Sequence, residues 1–288
     1  MLATAIIVFR EALEAALVVS IVLAATRGVI RRGLWVSGGV FGGLLGATAV
    51  AFFADVIAAA ASGVGQELFN ATVLFVAVIM LGWHNVWMSR HGRELASSLK
   101  SAGEAVRGGA RPMRVLAAVV GVAVLREGSE LVLFLYGVAA SESGESSGML
   151  TGALTGVGAG VAIGAALYLG LLRIPSSRLF TVTGWMILLL AAGMASQGAA
   201  FLVQADILPA LGESVWDTTA LVSDQGVAGR VLHTLIGYTP RPYGIQVVFY
   251  LVALGGILTL MKIVNRTRHT SSNAEAALNS STTPQPSN

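Results

Sequence analysis

Three charged side chains, Arg10, Glu11 and Glu14, sit in the middle of an apolar segment that runs from about Leu2 to Ala25. A helix needs about 20 apolar residues to cross a bilayer, so this segment is long enough to span one. Its centre is where charge costs most, roughly 2.5–3.5 kcal/mol per ionised side chain on insertion scales. The same R-E-x-x-E pattern recurs as Arg126-Glu127-Gly128-Ser129-Glu130, again in the middle of an apolar run. With about 3.6 residues per helical turn, Glu11 and Glu14 share one face and Arg10 stacks on Glu14 one turn away. Glu127, Glu130 and Arg126 repeat the arrangement. Two such motifs at matching depth have no packing rationale and read as one cation site built from two helices.

The surrounding composition bounds the class. The chain has 288 residues, 55% of them hydrophobic and 11% charged, with a mean hydropathy of +0.76. That is an all-α integral membrane protein rather than a soluble domain. The net charge of +3 does not indicate a nucleic-acid partner, because the basic residues lie in short loops between apolar spans. The absence of cysteine excludes thiolate metal sites, disulfides and iron–sulfur clusters. There is no G-x-x-x-x-G-K-[ST] motif, and Lys100 and Lys262 are the only lysines, which argues against internal ATP hydrolysis. The first segment lacks a basic leader and is interrupted by Arg10 and Glu11, so it reads as a permanent helix rather than a signal peptide.

Seven apolar spans are expected, at about 2–26, 34–57, 68–89, 113–139, 149–172, 180–204 and 243–264. Fourteen of the 18 basic residues fall on one side of this arrangement: Arg27, Arg31 and Arg32; Arg90 through Arg114; Arg173 and Arg178; and Lys262, Arg266 and Arg268. By the positive-inside rule the N-terminus is outside and the C-terminus cytoplasmic. The opposite loops are acidic, with Glu67, Glu142, Glu145, Asp206, Glu213, Asp217 and Asp224 and with Asp55 close by. They read as a solvated rim or as a funnel that concentrates cations at an entrance.

Three crossings separate the two motifs, so their helices run in opposite directions. This predicts a 3+3 inverted repeat, about 2–89 and about 113–204, followed by a final helix at about 243–264. The second span of each half is glycine-ridged: Gly38, Gly42 and Gly46, with Gly39 and Gly43 beside them, and then Gly152, Gly156, Gly160 and Gly164. Small residues at that spacing allow close helix approach and read as packing that draws the motif helices together. Residues 205–242 are expected to hold an interfacial or re-entrant segment, with Pro240 and Pro242 marking the start of the last span. Residues 265–288 are Ser/Thr/Asn-rich and read as a disordered cytoplasmic tail.

Four glutamates offer hard oxygen ligands for ferric iron, magnesium, calcium or manganese rather than copper(I). Glu11, Glu14, Glu127 and Glu130 with Arg10 and Arg126 sum to −2, which a divalent ion neutralises and a trivalent ion overshoots by one. The arginines cannot ligate a cation, so their role is to keep the carboxylates ionised and oriented. Two other readings are an intrahelical ion-pair glue and a proton relay. His84, flanked by Trp83 and Trp87, reads as an interfacial side chain before a ligand. Met80, Met88, Met186 and Met194 read as core filler. His84, Gln197, Gln246, Tyr250 and Asp217 are candidates to line a pathway.

Two R-E-x-x-E motifs in the first and fourth of seven membrane helices resemble the oxidase-dependent iron permease family, which includes the fungal high-affinity iron permease and the bacterial Efe-type iron uptake permease. The segment from His233 to Tyr238, followed by Pro242, Gln246 and Tyr250, resembles the family's final region, and the likeness covers about residues 1–264. The resemblance implies that Glu11, Glu14, Glu127 and Glu130, with Arg10 and Arg126, carry iron translocation. It implies iron, Fe3+ or Fe2+, as the transported substrate, with no tightly bound cofactor. It also implies a partner that changes iron's oxidation state: a multicopper oxidase in fungi, or periplasmic Efe-type proteins, one of them a haem peroxidase, in bacteria. Some relatives handle lead, so lead or manganese is the alternative cargo. An oxidoreductase is disfavoured because only His84 of the four histidines lies within a predicted span, and a sensor would need a signalling domain that the short tail does not provide.

Overall fold

The computed structural model describes the backbone of residues 1–61, 65–141, 146–170, 176–212, 214–219, 222, 229, 232–233 and 236–281. Glu142, Glu145, Glu213, Asp224, Arg173, Arg230 and residues 282–288 lie outside the described residues, as do the side chains of Arg90, Arg93, Arg178, Arg266 and Arg268. Seven long helices dominate the described residues: α1 (Leu2–Ala25), α2 (Arg32–Ala61), α3 (Gln66–Arg107), α4 (Arg114–Ser141), α5 (Ser146–Tyr168), α6 (Ser176–Gln204) and α7 (Gly244–Ser281). No strand occurs among the described residues. Five helices hold stretches long and apolar enough to cross a membrane: Arg32–Val56, Gln66–Met88, Gly148–Tyr168, Thr181–Gln204 and Gly244–Val264. The protein is therefore a multi-pass membrane protein. Helices α1 and α4 are long enough too, at 24 and 28 residues, but each carries three charges in its middle.

Local chemistry ends α1 sharply. The Thr26 hydroxyl donates 2.7 Å back to the Val22 carbonyl, and Arg32 Nη1 donates 2.8 Å to the Leu23 carbonyl. A cation on the last carbonyls of a helix also complements its dipole. Gly28 then turns the chain at φ +89°. Helix α3 is longer than its apolar span predicts. At about 1.5 Å per residue, its 42 residues reach roughly 63 Å, twice the apolar thickness of a bilayer. The added turns are anchored: Leu99 and Val106 are buried against Val18, Val22, Leu116 and Val120, and Gly103 packs on Ala25. Helix α7 likewise runs on through residues 265–281, past the end of its apolar span at Val264.

The glycine faces determine how the bundle closes. Met1/Thr4, Ala5/Val8, Phe9/Ala12 and Ala16 of α1 lie in order against Gly152, Gly156, Gly160 and Gly164 of α5. Ala117, Gly121 and Leu125 of α4 lie in order against Gly39, Gly43 and Gly46 of α2. Both pairs are parallel. Each motif helix is thus seated on a glycine helix distant in sequence, and α1 and α4 also touch one another. On α2 the ridge is Gly39, Gly43 and Gly46, not Gly38 and Gly42, which face open space. A strict four-residue repeat drifts around a helix of 3.6 residues per turn, and the contact face follows the drift.

This asymmetry yields a prediction. A methyl on Gly43 would lie 2.7 Å from the Gly121 carbonyl oxygen and from Val124 Cβ, whereas at Gly42 it meets nothing within 4 Å. Gly43→Ala is expected to destabilise the protein by about 1–3 kcal/mol through overpacking, and Gly42→Ala to be neutral or stabilising. Thermal unfolding in detergent separates the two, and equal midpoints would contradict the packing assignment.

The segment between α6 and α7 folds back on itself. Val215 N–H donates to the Pro242 carbonyl (3.0 Å), Thr218 N–H to the Pro240 carbonyl (3.1 Å) and Trp216 Nε1 to the Thr239 carbonyl (3.1 Å). Gly237 then packs directly on Gly193 of α6; a methyl on Gly193 would lie 2.6 Å from Gly237 Cα. Gly193 stands eleven residues, or about 16 Å of helix rise, before Gln204, so the chain re-enters the bundle. Most residues between 220 and 235 of this segment lie outside the described residues.

Candidate metal centre

The core has two apolar halves. One, toward the start of α1, holds Ala3, Ile7, Leu74, Phe134, Val138 and Ile187. The other, toward the basic end, holds Val18, Val22, Val36, Leu99, Leu116 and Val120. The two motifs lie between these halves. Arg10 and Glu11 are 2% exposed, Glu14 and His84 3% and Glu127 6%. The Glu130 and Arg126 side chains keep 17% and 35% of their exposure.

Helices α1, α3 and α4 each supply part of the cluster. On α1, Arg10 Nε lies 3.1 Å from Glu14 Oε1, and its Nη1 lies 3.6 Å from Glu11 Oε1. On α4, Arg126 Nε donates 2.9 Å to Glu130 Oε1. The Arg126 guanidinium lies 4.1 Å from the centre of the Trp87 ring, a cation–π contact that aims it. On α3, His84 stands between the two motifs. Its Nε2 lies 3.5 Å from Glu14 Oε2, and its Nδ1 contacts Glu130 Oε2. Phe134 packs edge-on to the imidazole at 6.4 Å.

One ligand atom each from Glu11, His84, Glu127 and Glu130 can be chosen so that all lie within 4.8 Å of one another. Glu14 is outside that set. Both carboxylate oxygens of Glu11 and of Glu14, both nitrogens of His84, Oε2 of Glu127 and Glu130, and Nε and Nη1 of Arg10 are buried without a hydrogen bond of good geometry. Buried polar atoms are ordinarily satisfied, so a cluster of acceptors in one spot is chemically equipped to bind a cation.

The expected motif residues therefore meet. Of the two readings of His84, interfacial side chain and pathway candidate, its place in the cluster suits the second: it is buried between Glu14 and Glu130. Its neighbours Trp83 and Trp87 suggested an interface, yet Trp83 is 72% exposed at the bundle surface while Trp87 packs on Arg126. The i, i+3 spacing of His84 and Trp87, which puts them on one helix face, was the available signal. The remaining candidates lie elsewhere. Gln246 Oε1 accepts from the Tyr243 N–H at 2.9 Å, as a first-turn residue capping α7. Asp217 is ion-paired to Arg241 at 2.9 Å and takes the Thr219 N–H at 3.1 Å. The Arg241 guanidinium and the Thr219 hydroxyl hold its carboxyl well below the usual carboxylate range. Gln197 is half-buried one turn beyond Gly193, and Tyr250 lies against Gly237.

A helical membrane protein with ionisable side chains gathered in its interior belongs to the class that carries ions or protons across bilayers. Within that class the chain belongs to the Iron permease FTR1 family, whose model matches residues 1–266; the family is one of permeases, not enzymes. The chain is 30% identical over 255 residues to the ferrous iron permease EfeU of Escherichia coli O6:H1, covering 86% of this chain and 91% of the relative. It is also 30% identical over 254 residues to the ferrous iron permease EfeU of Yersinia pestis, covering 86% and 89%. No solved structure matches the chain.

Proposed function

We propose that this protein is an iron permease in which the ion passes between the two R-E-x-x-E helices. The observation that carries the reading is the meeting of Glu11, Glu127 and Glu130 in one buried cluster, in a member of an iron permease family. The glutamates receive the cation, and Arg10 and Arg126 hold the carboxylates ionised and in register between passages. The relatives' name favours ferrous iron as the ion carried.

In this reading all seven long helices span the membrane, and α1–α3 and α4–α6 form an inverted repeat. Its support is that α1 runs parallel along the glycine face of α5 while α4 runs parallel along that of α2, the same contact with the halves exchanged. Access alternates by movement of one half against the other around the central cluster. The basic end faces the cytoplasm of a cell whose inner membrane holds the protein. An extracytoplasmic partner that changes iron's oxidation state, an Efe-type protein or a multicopper oxidase, hands over the ion.

Labelled iron offered to proteoliposomes holding only this chain, as ferrous and ferric ion separately and with lead and manganese as competitors, tests the function. Ferrous iron is expected to accumulate and the competitors to displace it poorly. Uptake of manganese or lead in preference to iron would reassign the cargo. Orientation is tested by single cysteines, since the chain has none of its own. A cysteine at Gly109 is expected to be shielded from impermeant thiol reagents in intact cells and one at Val215 to be labelled.

A further inference from the structure

The geometry points to His84 as a direct ligand of the transported ion, with Glu14 as the residue that positions it rather than a ligand itself. The site then takes borderline divalent transition cations, ferrous iron among them, through one nitrogen and three carboxylates. This inference rests on the permease reading of the cluster and goes beyond it, because it breaks the equivalence of the two motifs.

Three observations support it. First, the compact set is Glu11, His84, Glu127 and Glu130. Ligands on opposite sides of a divalent ion bound at about 2.1 Å stand about 4.2 Å apart, so a spread of at most 4.8 Å needs only a small contraction to close on one ion. Second, His84 is 97% buried, being 3% exposed, and its two nitrogens face carboxylates from different motifs, Nε2 toward Glu14 and Nδ1 toward Glu130, which puts the imidazole inside the cluster of acidic oxygens rather than at its edge. Third, Glu14 lies outside the compact set and stands between Arg10 at 3.1 Å and His84 Nε2 at 3.5 Å. A ligating imidazole almost always gives its other N–H to a carboxylate, which fixes its tautomer and orientation. Glu14 supplies that carboxylate, Arg10 braces Glu14, and Nδ1, on the side of Glu130, is left for the ion.

The consequence is selectivity. Four carboxylates alone suit calcium, magnesium or manganese, while an imidazole shifts preference toward iron and its later neighbours. Helix α3 contributes this nitrogen, so the ion would be held by three helices, not two.

Iron K-edge X-ray absorption on the full-length protein in detergent, loaded with ferrous iron and washed, tests the assignment. The expected result is one imidazole in the outer-shell scattering. It is lost in His84→Gln and kept when His91, His233 and His269 are all replaced by glutamine. Glu14→Gln is expected to retain the imidazole signal while weakening iron binding about 10–100-fold, the usual effect of removing a group that orients a ligand. Bound iron with only oxygen neighbours, or an imidazole signal unmoved by His84→Gln, would overturn the ligand assignment and leave the permease reading standing. No iron retained by the unmodified protein, or equal retention by Glu127→Gln, would overturn the central site and this inference together.

Discussion

Glutamine at position 127 is expected to abolish iron uptake while leaving a folded protein. Glu127 is buried at 6% exposure, with Oε2 lacking a donor, and it has no salt-bridge partner among the described residues. No salt bridge among the described residues depends on its charge, and glutamine has nearly its shape. Removing an unpaired buried charge costs no stability and can add some. The transport side is the reverse. Groups that only orient a ligand are worth about 10–100-fold in metal affinity, so a carboxylate that touches the ion is worth at least about a hundredfold. Ferrous uptake into proteoliposomes and thermal unfolding in the same detergent read the two quantities. A variant that unfolds like the unmodified protein but transports nothing matches the expectation. Undiminished uptake would remove Glu127 from the pathway.

The same cluster separates what the sequence states from what it leaves open. The two motifs and their place in the middle of apolar runs follow from the sequence, because charge there is too costly to be incidental. Which other side chains join them does not follow. His84 lies on a span whose hydropathy gives its presence but not its rotation or depth, and flanking tryptophans point equally well to an interface. Only the packing of α3 against both motif helices turns the imidazole inward, with Trp83 sent to the surface and Trp87 stacked under Arg126. The glycine ridges were legible as close-packing surfaces, but Gly39 rather than Gly38 makes the contact, because the face is chosen by the partner backbone. The amphipathic end of α3 was illegible as membrane structure since it is charged and lies beyond the apolar span. Its order comes from Leu99, Gly103 and Val106 resting on the ends of the neighbouring helices.

Identical motifs in unequal surroundings should respond unequally to the same substitution, and the arginines show where. Arg10 is 2% exposed and is the cation nearest to both Glu14, at 3.1 Å, and Glu11, at 3.6 Å. Replacing it with methionine keeps much of its volume and removes the nearest cation from two buried carboxylates, leaving Glu11 with no salt bridge among the described residues and Glu14 with His84 at 3.5 Å. Breaking a buried pair in this way costs about 3–5 kcal/mol, a large part of the roughly 5–15 kcal/mol that holds a typical protein folded. The Arg126 side chain is 35% exposed, and its partner Glu130 keeps His84 as a second contact. Arg126→Met therefore loses a half-screened pair and a cation–π contact worth about 0.5–2 kcal/mol. The expected result is a sharp difference: Arg10→Met is recovered in low yield and unfolds at a much lower temperature, while Arg126→Met is extracted nearly intact. The cause is tested by removing the two carboxylate charges as well. Arg10→Met combined with Glu11→Gln and Glu14→Gln should regain most of the lost stability, since neutral side chains of similar volume are tolerated where lone carboxylates are not, yet it should not regain transport. If Arg10→Met proved as stable as Arg126→Met, the burial of the first motif would not be the constraint that holds α1 in the bundle, and its arginine would belong to transport alone.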